Sequence, residues 1–267
     1  MDSVLSDHQQ TDRHGFPVAD LCDVIDRRGV MEVSLRLLHS YGVTMPQVVE
    51  NAGRTLAALA CRRYLHSDAL GRRVVVLIGA GGIAASALTA ARRLSIWGAA
   101  VRLVVARGAY PLSGLAARQM AVLAALGVLP QELPEVAPDL IIDAMSGYDP
   151  DEAPRGRRAA LTGWANAVAA PVLALEAPTG SVGRWRAEEA PPMFADATLM
   201  LGMPKSGLTG PEREAAVGAI YLGDISIPGQ LWRSLSVPLR APSFARGDIL
   251  RIRRPGERIS PAPVRGD

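Results

Sequence analysis

Hydrophobic positions in this chain alternate between two rhythms. Short continuous apolar runs at 74–78 (VVVLI), 101–106, 140–142, 172–175 and 197–201 have the length and β-branched content of strands buried on both faces. Between them the apolar positions take helical spacing. In one segment Thr44 reads as an N-cap and Pro46 as a first-turn residue, with Val48, Val49, Leu56, Leu59 and Ala60 forming the buried side. Leu88, Ala91 and Leu94 share a face in another, and residues 113–126 form a third, closed by Gly127. Shorter helices are predicted over 18–27, 31–40 and 156–169, a strand-like piece over 128–133, and closing strands over 219–222 and 224–227. Strands alternating with helices predict an α/β fold, a mostly parallel sheet covered on both faces. Residues 1–17 read as a disordered tail, 18–228 as one domain, and 229–267 as a Pro/Arg-rich extension.

The run 74–78 leads at once into Gly79, Gly81 and Gly82, with Ser86 opening the helix that follows. A strand, a glycine turn and a helix N-terminus make a place for a phosphate, and Gly79-x-Gly81-x-x-Ala84 fits the relaxed dinucleotide pattern. A tight βα connection without ligand fits the same glycines. In open parallel sheets ligands bind beyond the carboxyl ends of the strands, and that is where the polar residues collect. Asp143, Glu176 and Lys205 each follow an apolar strand, which predicts a shared site.

Composition narrows the class. Hydrophobic residues make up 49% of the 267 and aromatic residues only 4%, so the core is built from Ala, Val and Leu. Cys22 and Cys61 lie in helical-looking segments without motif spacing and are expected as buried free thiols, which suits the cytosol. No run reaches the roughly 18 apolar residues of a membrane span, and the first residues are polar and acidic rather than basic and then apolar. A cytoplasmic protein without membrane contact is the expectation. The net charge of +3 gives little footing for nucleic acid. Arg240, Arg246, Arg251, Arg253, Arg254, Arg258 and Arg265 are expected to form a solvated tail. One fact is sharper: of 29 basic residues, Lys205 is the sole lysine. Arginine is used everywhere except at one position, where the group can lose its proton.

Blocks in order then resemble a known family, the YjeF N-terminal domain typified by NAD(P)H-hydrate epimerases. YGVTMPQVVENAGRTLA is similar to its MENAG helix, VVVLIGAGGIAASALTAARRL to its GPGNNGGDG loop and AARHL helix, and DLIIDAMSGY to its DALFG block. LALEAPTG resembles DIPSG, ATLMLGMPKSGL the strand ending in a PK pair, and GDISIP the closing DIGIP. The resemblance covers roughly residues 20–228 and implies a three-layer α/β/α Rossmann-like domain with a mostly parallel sheet. It also implies a homodimer, an epimerase acting on hydrated NADH or NADPH, and a bound potassium ion. By position Glu176 stands for the catalytic Asp, Asp143 for a potassium-ligand Asp, and Thr179 for a Ser that also contacts potassium. Lys205 is assigned beside Glu176 as acid or electrostatic partner. Gly79, Gly81, Gly82, Ser86, Asn51, Ser146, Gly147 and Tyr148 are assigned to a small-molecule or nucleotide-like ligand.

The departures fall on the chemistry. The loop's two Asn are Gly82 and Ile83 here, its Asp is Ser86, and flanking glycines are Ala85 and Ala87. Ile83 has no oxygen for a cation. Two other readings stay open: a homodimeric scaffold that kept the fold and lost the chemistry, and an NADP-dependent oxidoreductase with Arg107 near a 2′-phosphate.

Overall fold

The computed structural model describes residues 10–106, 112–148, 153–183 and 189–260. The helix predicted over 18–27 is instead a short strand, β1 (Val18–Asp20), followed by α1 (Arg27–His39). Asp26 caps that helix, its carboxylate accepting the Gly29 amide at 2.7 Å. The chain continues through α2 (Met45–Tyr64), β2 (Arg73–Ile78), α3 (Gly81–Ile96), β3 (Ala100–Val105), α4 (Gly114–Ala125), β4 (Leu140–Ala144) and α5 (Arg157–Ala167). It then forms β5 (Val172–Leu175), β6 (Ala197–Leu201), α6 (Glu214–Val217), β7 (Ala219–Gly223), α7 (Gly229–Arg233) and β8 (Ile249–Arg253).

The eight strands make one sheet in the order β1-β8-β7-β6-β5-β4-β2-β3. Every pairing is parallel except β7 with β8. Strict alternation builds two cores from single strands. Val74, Val76 and Ile78 of β2, with Leu140 and Ile142 of β4, join α2, α3 and α4 on one face. Val75, Leu77 and Ile141 join Leu161 and Ala165 of α5 on the other. The result is the three-layer α/β/α arrangement that the alternating pattern implied.

Five further expectations are corrected. Residues 10–17 are ordered at their end of the chain: Phe16 is fully buried, and Asp12 accepts the Tyr221 hydroxyl at 2.6 Å. The segment after 228 completes the sheet through β8 rather than trailing from it, because Leu250 and Ile252 bury against Ile220 and Leu222. Within that strand Arg251 pairs with Glu257, and Arg254 donates to the Gly218 carbonyl at 2.8 Å, so these two arginines are buried rather than solvated. Residues 224–227 form a turn past β7 rather than a strand, and 128–133 contributes only a single bridge, Leu103 to Pro130. Cys22 and Cys61 are free thiols, half-buried; burial pushes the Cys22 thiol up to about 11. Arg107 and Arg265 lie outside the described residues.

Candidate active site

All strands from β2 to β7 run the same way, so the turns after β2, β4, β5, β6 and β7 share one end of the sheet. The first of these is the glycine turn. Gly79 is there for a close approach: a Cβ on it would stand 1.9 Å from the Met145 carbonyl oxygen, because the turns after β2 and β4 lie against each other. Gly81 has φ +67°, a conformation that side chains resist. Gly81 and Gly82 are exposed at the helix start, and the side chains beside them are apolar. Ile83 packs on the Gly147 backbone, and the Met45 side chain reaches the space beside Gly82. Ser86, assigned to the ligand, is turned into its own helix; its hydroxyl donates to the Gly82 carbonyl at 2.9 Å and the residue is buried. Ile83, with the Met45 side chain near Gly82, gives this end of α3 an apolar wall.

Asp143 ends β4 with its side chain fully buried. One carboxylate oxygen accepts the Thr179 hydroxyl (2.8 Å) and the Met145 amide (3.2 Å), and the other the Thr179 amide (2.7 Å). Burial pushes its carboxyl above the usual carboxylate range, with those three donors pulling the other way. A hard cation takes about six oxygens. Here the two implied ligands satisfy each other and Ile83 offers only carbon. Ser181 Oγ, two residues on, adds one buried hydroxyl without a partner among the described residues. The residues present do not fit a potassium ion.

The chemistry concentrates at Glu176 and Lys205. Glu176 follows β5 in a left-handed conformation, φ +68°, costing on the order of 1–3 kcal/mol for a non-glycine residue. Three oxygens converge on the Lys205 ammonium: Glu176 Oε2 at 2.9 Å, the Leu201 carbonyl at 2.8 Å and the Met203 carbonyl at 3.0 Å. The Glu176 contact is an ion pair without an aligned hydrogen bond. A tetrahedral ammonium meets three acceptors around a point, whereas the planar guanidinium fork of arginine does not. That explains why the one lysine falls here. The Lys205 side chain is 3% exposed and that of Glu176 11%, so both are buried and the carboxylate is the less buried of the two.

Tyr148 frames the pair: its hydroxyl donates to the Ser206 carbonyl at 3.0 Å. Burial raises its pKa, as do the negative charges of Asp26 and Glu176. Asp26 was not among the residues singled out from the sequence; an Asp directly before a helix was the available signal, hidden by placing a helix over 18–27. Arg158 of α5 was missed too, and donates to Ser146 Oγ at 3.1 Å. Asn51 sits apart from Glu176 on α2, donating to Ser226 Oγ at 3.3 Å in the turn after β7.

Comparison with known proteins follows this geometry. The family model described as YjeF-related protein N-terminus matches residues 46–207, the stretch from the start of α2 to just past Lys205. The chain belongs to the YjeF-related N-terminal family. Two relatives in this family carry the name NAD(P)H-hydrate epimerase. The protein of Dehalogenimonas lykanthroporepellens is 32% identical over 233 residues, covering 85% of this chain and 89% of that one. That of Rhodopirellula baltica is 30% identical over 202 residues, covering 72% and 81%. The fold also matches the crystal structure of yeast ynu0, with a TM-score of 0.69 at 19% identity over 86% of this chain and 99% of that one. Family membership therefore rests on the segment that supplies the glycine turn, Asp143, Glu176 and Lys205, while β1 and β8 lie outside the matched stretch.

Proposed function

We propose that the chain is an isomerase of the NAD(P)H-hydrate epimerase kind, with Glu176 moving the proton and Lys205 positioning it. The observation that carries this reading is the Glu176–Lys205 pair: a strained carboxylate just past a strand end, paired with a buried ammonium. The epimerase relatives support the same class. Inverting a hydrated carbon requires a bond to that carbon to open and re-form. As the hydroxyl loses its proton the carbon–ring-nitrogen bond opens, its electron pair going to the nitrogen, and the proton returns when the ring closes on the other face. A positioned carboxylate can carry that proton. Lys205 is the electrostatic partner rather than the acid, since its ammonium is fully engaged by protein oxygens. Met45 and Ile83 give the uncharged part of a ring an apolar wall. A second copy of the chain is part of this reading. Met31, Leu35 and Leu38 form an exposed apolar stripe on α1, continued by Tyr41 and Met45, of the kind that marks an interface.

The test is a direct epimerase assay on hydrated NADPH with wild type and Glu176→Gln. Turnover by wild type and a loss of at least a hundredfold in the variant are expected. Background rates for both would favour the scaffold reading, to which the apolar wall at Ile83 already lends weight.

A further inference from the structure

A dinucleotide substrate extends well beyond its reacting ring, and the residues above account only for the ring. The glycine turn is walled by Met45 and Ile83, which suits an uncharged ring and offers little to a diphosphate. Past the ends of β6 and β7 the chain leaves more room. An open cavity of about 430 Å³ lies there, its walls including Gly202, Asp224, Ser226, Pro228, Trp232 and Phe244. Gly202 belongs to the segment whose Leu201 and Met203 carbonyls hold Lys205, so cavity and ion pair share a loop. Two strand spacings of about 4.8 Å separate the ends of β5 and β7, roughly 10 Å in all.

The turn past β7 carries the same mark as the turn past β5. Among the described residues, non-glycine positions with left-handed φ are His66 and Ser67 after α2, Glu176 after β5, and Ser226 after β7 at +63°. Strain of this kind collects at ligand-holding turns. Ser226 is fixed from both sides: Asp224 Oδ1 accepts its amide at 2.7 Å, and Asn51 Nδ2 donates to its hydroxyl at 3.3 Å. Asp224 is partly exposed, and Phe244 half-buried. A carboxylate just past a strand end is an acceptor for ribose hydroxyls, and an aromatic face beside it takes a purine.

We infer that this cavity is the subsite for the adenosine half of the dinucleotide, with Asp224 accepting from the ribose and Phe244 lying against the base. The inference rests on the epimerase reading for its substrate, yet it can fail separately. Adenosine 5′-monophosphate is titrated calorimetrically into the full chain, into Asp224→Asn, which keeps the side chain's shape, and into Phe244→Ala. Binding by wild type, weakened at least tenfold in Asp224→Asn at unchanged melting temperature, is the expected result. In the same variant the preference, as kcat/KM, for hydrated NADH, whose adenosine ribose keeps both hydroxyls, over hydrated reduced nicotinamide mononucleotide falls at least tenfold. No binding by wild type, or equal binding by wild type and both variants, overturns the subsite. Nucleotide binding that behaves as expected, without turnover of hydrated NADPH, leaves the subsite standing and defeats the epimerase reading instead.

Discussion

Removing the Lys205 ammonium while leaving Glu176 in place separates a positioning lysine from an acid. Lys205→Met keeps the length and apolar stem of the side chain. It strands a carboxylate whose side chain is 11% exposed, and it leaves the Leu201 and Met203 carbonyls without their donor. Breaking a buried pair from one side costs about 3–5 kcal/mol. At about 2–4 °C per kcal/mol for a chain of this size, the melting temperature falls by roughly 6–20 °C. Glu176→Gln should cost less, about 1–2 kcal/mol, because the ammonium keeps its hydrogen bonds to the Leu201 and Met203 carbonyls. In the double variant the buried charges vanish together, and the cost should fall short of the sum of the singles by about 1–3 kcal/mol. Lys205→Arg is expected to resemble Lys205→Met rather than wild type, since the three acceptors surround a point and not a plane. Urea unfolding of the four variants, paired with the epimerase assay, reads all of this. A Lys205→Met protein within about 1 kcal/mol of wild type stability, or with additive singles, would refute the claim that the ammonium holds the carboxylate.

Three other predictions follow from the same site and its surroundings. Burial keeps Asp143 above the ordinary carboxylate value, so the folded state binds its proton more tightly than the unfolded state does. Stability from this group is therefore present at low pH and lost as pH rises from about 4 through the folded value. Relative to wild type, Asp143→Asn should gain stability across that rise in urea titrations at stepped pH, and a flat difference would defeat the assignment. Because Asp143 and Thr179 satisfy each other and Ile83 has no oxygen, exchanging potassium for tetramethylammonium at constant ionic strength should leave melting temperature and turnover unchanged; a potassium-specific rise would show a cation site. Leu35→Asp, in the centre of the exposed α1 stripe, should halve the mass measured by light scattering, whereas a monomeric wild type would remove the dimer from the proposal.

The architecture was readable from the residues because each strand carries its own evidence. Continuous apolar runs mark burial on both faces, and a helix between successive runs forces parallel pairing. The failures came where short elements depend on partners far away in the chain. The strand at Val18–Asp20 has three residues and exists because Arg251–Arg253 lie beside it; helical spacing in its neighbourhood pointed the other way. Likewise ILRIR in β8 sits in Pro/Arg-rich surroundings, and its arginines look solvated until Glu257 and the Gly218 carbonyl are placed next to them. At the site, the residue types past each strand end were legible, but their division of labour was not. Glycines at 79 and 81 suggested a phosphate cradle; one of them is required by the Met145 carbonyl and the other by a left-handed turn. Neither reason involves a ligand.

That distinction bears on how the loop diverged. If Gly79 and Gly81 are demanded by the contact between the turns after β2 and β4, they persist whether or not a ligand is bound, and their presence says little about activity. Ser86, whose hydroxyl bonds back to its own helix, says equally little about activity. Glu176 and Lys205 are different. Nothing in packing a hydrophobic sheet requires a carboxylate in a left-handed conformation or an ammonium with a 3% exposed side chain, and replacing such a pair by apolar residues is often neutral or stabilising. Their pairing is the physical argument for chemistry at the end of β5, and it does not depend on the glycine turn.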